Sequence, residues 1–257
     1  MPHFINLFIS ERPPFWIKAF NLLLIFGALS LFFCAVFFSQ VYHWDVLSKY
    51  RVVFLKGWGT TLLIAIASLI LSVAIGLVTS LMRRSKILPL RYFAQVYIEV
   101  IRGTPLLVQL LFFFYVVASS LGIESRFLVG ILTLSIFSGA YIAEIFRSGI
   151  DSIRKTMLES ATAIGLTTVQ TYRYVIYPIS IRQILPPLAG QFASIIKDSS
   201  LLSILGISEF TYAAQQVSSA TYSTLECYFP LAIGYLILTL PISLMSKLLE
   251  KRMRHEA

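Results

Sequence analysis

The sequence predicts an all-α integral membrane protein with six transmembrane helices, and three observations carry that reading. Only 13% of its 257 residues are charged and 57% are hydrophobic, against about 25% charged in soluble domains. Mean hydropathy is +0.80, so lipid replaces water over much of the surface. Five charge-free intervals approach the length of a bilayer crossing, and the lysines and arginines crowd onto one side of the resulting topology. A net charge of +9 does not signal nucleic acid here. A nucleic-acid binder clusters its bases on one face of a soluble fold, whereas these flank apolar runs.

The charge-free intervals run 19–44, 57–82, 103–123, 127–143 and 227–246. About 20 apolar residues cross a bilayer as a helix, so four qualify directly. The 127–143 interval qualifies once its last turns, through Arg147, snorkel toward water. A sixth span is expected over 183–205, after "RQILPP" and interrupted by Lys197 and Asp198. Loops cannot complete a crossing, because their backbone polar groups would go unpaired in hydrocarbon. The first interval is longer than the 7–15 or so apolar residues of a signal peptide, and no A-x-A-like site ends it. It is expected to be a retained anchor.

Basic residues set the orientation. With both ends inside, the inner segments are the N-terminus (Arg12, Lys18), "RRSKILPLR" (Arg83, Arg84, Lys86, Arg91), the long 147–182 stretch and the tail "KLLEKRMRHEA". These hold fifteen of the 21 lysines and arginines. The outer segments hold Lys49, Arg51, Lys56 and Arg126. Cys34 and Cys227 are far apart and imply no disulfide framework. His3, His43 and His255 are scattered, and there is no zinc spacing.

The 147–182 stretch is unusually polar for a junction between spans. Ile150, Ile153, Met157, Ala161 and Ile164 fall near one face of a short amphipathic helix. Ala161 and Gly165 make a small-xxx-small step that admits a neighbouring helix. Gly165 also suits a helix end, since it adopts the left-handed cap without steric cost. Thr167 and Gln170 have capping-box spacing, and Val169, Tyr172 and Ile176 continue at helical intervals until Pro178 stops or kinks the chain. The pattern predicts helix, glycine turn and second short helix at the inner surface. On physics alone this hairpin either packs on its own membrane domain or serves as a handle for another protein.

Charges inside spans are costly and therefore candidate functional residues. Glu99 and Arg102 lie three apart near the inner end of the third helix, followed by Gly103, Thr104 and Pro105, which allow a bend. Glu144 and Arg147 repeat the spacing on the fourth helix. The two pairs are expected to bond across the bundle as structural ion pairs, since buried charges persist when paired. Lys197 and Asp198, followed by Ser199 and Ser200, are adjacent and so point about 100° apart on a helix. Each needs a partner elsewhere or a wet cavity.

The sequence E-x-A-x-x-x-G followed by a proline (Glu159, Ala161, Gly165, Pro178) resembles the EAA loop of the membrane subunits of ATP-binding-cassette importers. Ser160 stands where that family usually has a first alanine. "IRGTPLLVQLLFFFY" (101–115), "YIAEIFRSGIDSI" (141–153), "KDSSLLSILGISEFT" (197–211) and "LLEKR" (248–252) are similar to the polar amino acid permease branch. The resemblance covers roughly residues 57–252. It implies a type I importer core of five helices plus an extra N-terminal helix in residues 1–56, with 253–257 as a cytoplasmic tail.

It further implies that EAA-type coupling helices around 147–182 dock on a separate ATPase. Glu159, Ser160, Ala161, Gly165, Leu166, Thr167, Thr168, Tyr172 and Pro178 would form the contact. Lys197, Asp198, Ser199 and Ser200 would line the translocation pathway or its gate, or else tie helices together. The implied partners are ATPase subunits, an extracytoplasmic solute-binding protein against 118–126 and 206–227, and a second identical or homologous permease chain. ATP and magnesium would sit on the ATPase, with no cofactor on this chain, where no G-x-x-x-x-G-K-[ST] occurs. The implied location is the bacterial inner membrane. Rival readings are a stand-alone secondary transporter or channel, which usually shows internal repeats, and a membrane scaffold.

Overall fold

A computed structural model describes residues 15–38 and 42–254. Arg12, His3, His255 and the last three residues of the tail lie outside the described residues. The chain divides into two units, 1–43 and 44–257. The described residues of the first contain one helix, α1 (Phe15–Phe38), which is free of charge from Ala19 onward.

The second unit is helical throughout, with no strand among the described residues. In order it comprises α2 (Asp45–Arg83), α3 (Leu88–Gly103), α4 (Leu106–Phe112) continuing into a π-helical turn (Phe113–Ala118), and α5 (Arg126–Asp151). Then come α6 (Lys155–Ala163), α7 (Thr168–Thr171), a second π-helical turn (Tyr172–Ile176) and α8 (Tyr177–Asp198). A 3₁₀ helix (Ser199–Leu205), α9 (Phe210–Thr221) and α10 (Thr224–Arg254) complete it.

The centre of this unit is the pairing of α2 with α5. Water does not drive helices together in lipid, so close van der Waals contact between small residues does the work. A Cβ on Gly76 would lie 2.7 Å from Ile142 Cγ2 and 3.0 Å from the Ala143 backbone nitrogen. Ser68, Ser72, Ser135 and Ser138 are buried in the same region. Three of these hydroxyls are satisfied by carbonyls: Ser68 and Ser135 donate to Ile131 O, and Ser72 to Leu69 O. Ser125 caps α5 by accepting from Leu128 N at 3.3 Å. On the other side, Ser246 Oγ donates to Pro186 O at 2.7 Å and ties α10 to α8.

Among the described residues, three helices, α2, α5 and α10, are long and apolar enough to cross a membrane. The expected third span differs. Residues 103–123 do not form one rod, because the chain turns by 109° between Leu88–Gly103 and Leu106–Ala118. Pro105 has no N–H to give and forces its predecessor out of the helical region, and Thr104 is accordingly extended at φ −119° and ψ 144°. The apolar segment is a bent pair in which α3 supplies one arm.

The span expected over 183–205 also shifts. Its helix starts at Tyr177 rather than 183, and ends in α-form at Asp198 rather than 205. Pro178 does not stop the chain. The turn before it widens, with Tyr177 N–H donating five residues back to Tyr172 O, and this π-bulge absorbs the proline in the first turn of α8.

Candidate functional site

The polar junction 152–176 forms a stiff knob. At the end of α6, Gly165 takes φ +81°, Leu166 N–H donates to Ala161 O and Gly165 N–H to Thr162 O, both at 3.0 Å. This is the Schellman closure, which satisfies carbonyls that a helix end leaves orphaned. Two residues later the reciprocal cap predicted from spacing is present. Gln170 N–H donates to Thr167 Oγ1 at 3.3 Å, and Thr167 N–H to Gln170 Oε1 at 2.9 Å. Closure and cap together leave the loop little freedom.

Gly165 differs from expectation in one respect. Nothing of this chain lies within 4 Å of a Cβ placed there, so no helix of the same subunit packs against it. Its requirement is the backbone angle. Ala161 alone is buried, whereas Glu159, Ser160, Thr167, Thr168 and Tyr172 are exposed, and Leu166 and Pro178 are half-buried. Ile164 and Val169 are each 76% exposed, giving the knob an apolar tip. Between α6 and the second π turn runs an open groove of about 420 Å³, lined by residues that include Met157, Ser160, Ala161, Ile164 and Tyr174.

At the neighbouring end of α5, the charges gather into one cluster. Glu144 accepts from Arg147 Nε at 3.0 Å and from Arg83, with Arg102 at 3.9 Å. Asp151 accepts from Arg147 at 2.9 Å and from Arg84. Arg102 also stacks over Tyr141 at 5.2 Å. Glu99 stands apart from the ion pairs and accepts from Gln95 Nε2 at 3.1 Å. Spacing on α3 and α5 did not reveal Arg83, Arg84 and Asp151, because the contribution of α2 depends on how the helices pack.

Lys197 and Asp198 occupy the last residues of α8, where it tightens into the 3₁₀ helix, rather than the middle of a regular helix. Lys197 is exposed, Asp198 and Ser200 are half-buried, and Ser199 is buried with its hydroxyl donating to Ile196 O at 2.8 Å. An α-to-3₁₀ change swings successive side chains by about 120° rather than 100°.

Two structural polar residues escaped the sequence reading. Gln109 braces the α3–α4 break, its Nε2 donating to Ile101 O and Thr104 Oγ1, each at 2.7 Å. Glu209 is fully buried and caps α9, accepting from Tyr212 N at 2.7 Å, Thr211 N at 2.8 Å and Tyr235 OH at 2.9 Å. Burial pushes its carboxyl above the ordinary value of 4.5, while these donors pull the other way. The signal was a glutamate one residue before an apolar helix start, which is an N-cap position.

Apolar helices packed through small residues, with a capped polar junction between α5 and α8, make an integral membrane helical domain. The chain belongs to the family of binding-protein-dependent transport system inner membrane components, which matches residues 72–255. It is the permease subunit of an ATP-binding-cassette importer, with the type I permease fold. It is similar to the glutamine transport system permease protein GlnP of Escherichia coli (strain K12), 36% identical over 216 residues that cover 83% of this chain and 98% of that one. The probable glutamine ABC transporter permease protein GlnM of Bacillus subtilis (strain 168) is 35% identical over 201 residues, covering 78% and 93%. A crystal structure of an amino acid ABC transporter with histidines is 37% identical with a TM-score of 0.77, covering 83% of this chain and all of that one.

Proposed function

We propose that this subunit forms half of an import pathway for polar amino acids and receives its power stroke through the 155–176 knob. The observation that carries the reading is the closed Gly165 turn beside exposed Ile164, Val169 and Tyr172. A knob transmits displacement only if it is stiff, and docks in a socket only if its tip has apolar surface to bury. The similarity to GlnP, GlnM and the amino acid transporter supports the substrate class.

In this reading the N-terminal helix, the bent pair and α8 join the three long spans to give six crossings with both ends inside. A second permease chain closes the pathway. ATP and magnesium reside on the docked ATPase, while an extracytoplasmic binding protein delivers the solute to the outer segments. The Glu144 cluster with Arg83, Arg102 and Arg147 is a structural clasp, and Asp198 with Lys197, Ser199 and Ser200 faces the pathway near its gate. The location is the bacterial inner membrane.

A photo-crosslinking amino acid at Val169 tests the docking. It is expected to capture an ATPase polypeptide, and proteoliposomes of the purified complex are expected to take up glutamine only when ATP is supplied on the ATPase side. Uptake by the chain alone on an ion gradient, or no capture from Val169 and Ile164 in an active complex, overturns the reading.

A further inference from the structure

Four arginines converge where the knob-side ends of α2 and α5 meet the start of α3. Arg83, Arg84, Arg91 and Arg147 line an open pocket of about 430 Å³ with Ser80, Gln95 and Asp151. Asp151 and, behind it, Glu144 accept from Arg83, Arg84 and Arg147. Arg102 also reaches Glu144 at 3.9 Å, so two carboxylates face five guanidiniums, an excess of three positive charges. Glu99, further along α3, is held by Gln95. Arg91 is the member left over: it is exposed, and among the described residues its guanidinium has neither an ion pair nor a hydrogen bond. A guanidinium fork matches the oxygens of a phosphate, which can take two parallel hydrogen bonds.

The flanks of this pocket are apolar. On α2, Leu77, Ser80, Leu81 and Arg84 follow at i, i+3, i+4 and i+7, one helical stripe. On α3, Leu88, Arg91, Tyr92 and Gln95 repeat the spacing. Leu77, Leu81, Leu88 and Tyr92 are 48, 61, 58 and 61% exposed. The α2 stripe leads away from Arg84 into the span. In the span these side chains lie against lipid, so a phosphate that reaches the arginines from the membrane arrives with its tail already beside them. A ligand with a phosphate head and a hydrocarbon tail covers both parts.

We propose that this pocket binds an anionic phospholipid of the inner leaflet, with its phosphate at Arg91 and Arg84 and an acyl chain along Leu81 and Leu77. Basic pockets between spans on the inner side recognise such headgroups by the same chemistry. The proposal rests on the inward orientation of these helix ends given above.

The test is native mass spectrometry of the full-length chain co-purified with its ATPase, titrated with dioleoylphosphatidylglycerol. Dioleoylphosphatidylcholine and glycerol 3-phosphate serve as controls. Phosphatidylglycerol is expected to be retained over phosphatidylcholine, and Arg91→Gln to weaken it about fivefold, with Lys247→Gln unchanged. Wild-type retention by Arg91→Gln, equal retention of both lipids, or displacement by glycerol 3-phosphate overturns the proposal. Binding to the chain that vanishes whenever the ATPase is present also overturns it, assigning the arginines to a protein surface. Thiol labelling of Lys86→Cys from one side of sealed vesicles tests orientation alone, so a failure of topology is separable from a failure of lipid binding.

Discussion

Replacing Gly165 with alanine isolates the rigidity of the knob from every other property. The residue sits at φ +81° with nothing within 4 Å of a Cβ, so the substitution meets no steric obstacle and its cost is backbone alone. An L-residue other than glycine loses about 1–2 kcal/mol in the left-handed region. At about 1.4 kcal/mol per factor of ten, the closed turn loses roughly 5- to 30-fold in population against opened forms. The two bonds that report the closure are Leu166 N–H to Ala161 O and Gly165 N–H to Thr162 O. Hydrogen exchange of a peptide spanning 161–171, measured on the purified chain in nanodiscs, should accelerate by that factor in the alanine variant. Asparagine tolerates the left-handed region better than alanine, so Gly165→Asn should fall between the two. Peptides from α2 and α5 should be unchanged. Equal exchange in the native chain and the Gly165→Ala variant would refute the idea that this angle holds the turn shut.

Gly76→Ala should destabilise the chain by about 1–3 kcal/mol through overpacking, because the new methyl meets Ile142 and the fixed backbone of α5. A lower melting temperature in detergent, partly restored by adding Ile142→Ala, checks it. Glu209 has a folded-state pKa raised by burial, so its contribution to stability is complete below the ordinary carboxyl range and is lost as pH rises through the raised value. The melting temperature of the native chain should therefore fall relative to Glu209→Gln as pH climbs from about 4.5, with a slope of at most about 1.4 kcal/mol per pH unit; a gap independent of pH refutes the assignment. Glu144→Gln keeps an oxygen acceptor but removes the charge shared by three partly exposed arginines, and should cost on the order of 1 kcal/mol. The double change with Arg83→Gln should cost less than the two singles added, as a thermal-melt cycle would show.

What the sequence made legible was local chemistry. Thr167 and Gln170 form their reciprocal cap and Gly165 takes the left-handed angle, because both outcomes are decided within four residues. Continuous apolar runs became α2 and α10 for the same reason. The rest depended on packing between distant segments. Pro105 announced a break, but the 109° angle is set by how Gln109 reaches back to Ile101 and by the seating of α3 on α2 and α5. Pro178 reads as a stop only if the preceding turn stays α-helical, and a π-bulge removes that condition. Arg83, Arg84 and Asp151 looked like interchangeable flanking charges until α2 and α5 were in register, and the tight Gly76 contact fixes that register.

These features bear on how a displacement at the knob would travel. Toward the N-terminal side the knob joins α5 through only Ser152, Ile153 and Arg154, and α5 is held to α2 by glycine contacts and to the ends of α2 and α3 by the shared Glu144. Toward the C-terminal side the chain is helical without interruption from Thr168 through the π turn to Asp198, about 45 Å at 1.5 Å per residue. The first route ends in a clasp of several elements that resists motion as a block. The second ends where the α-helix gives way to 3₁₀ geometry at Lys197–Ser200, and a small axial rotation there re-aims Asp198. On the proposed reading, the knob would couple to one anchored helix and one long lever, and the junction farthest along the lever carries the half-buried Asp198.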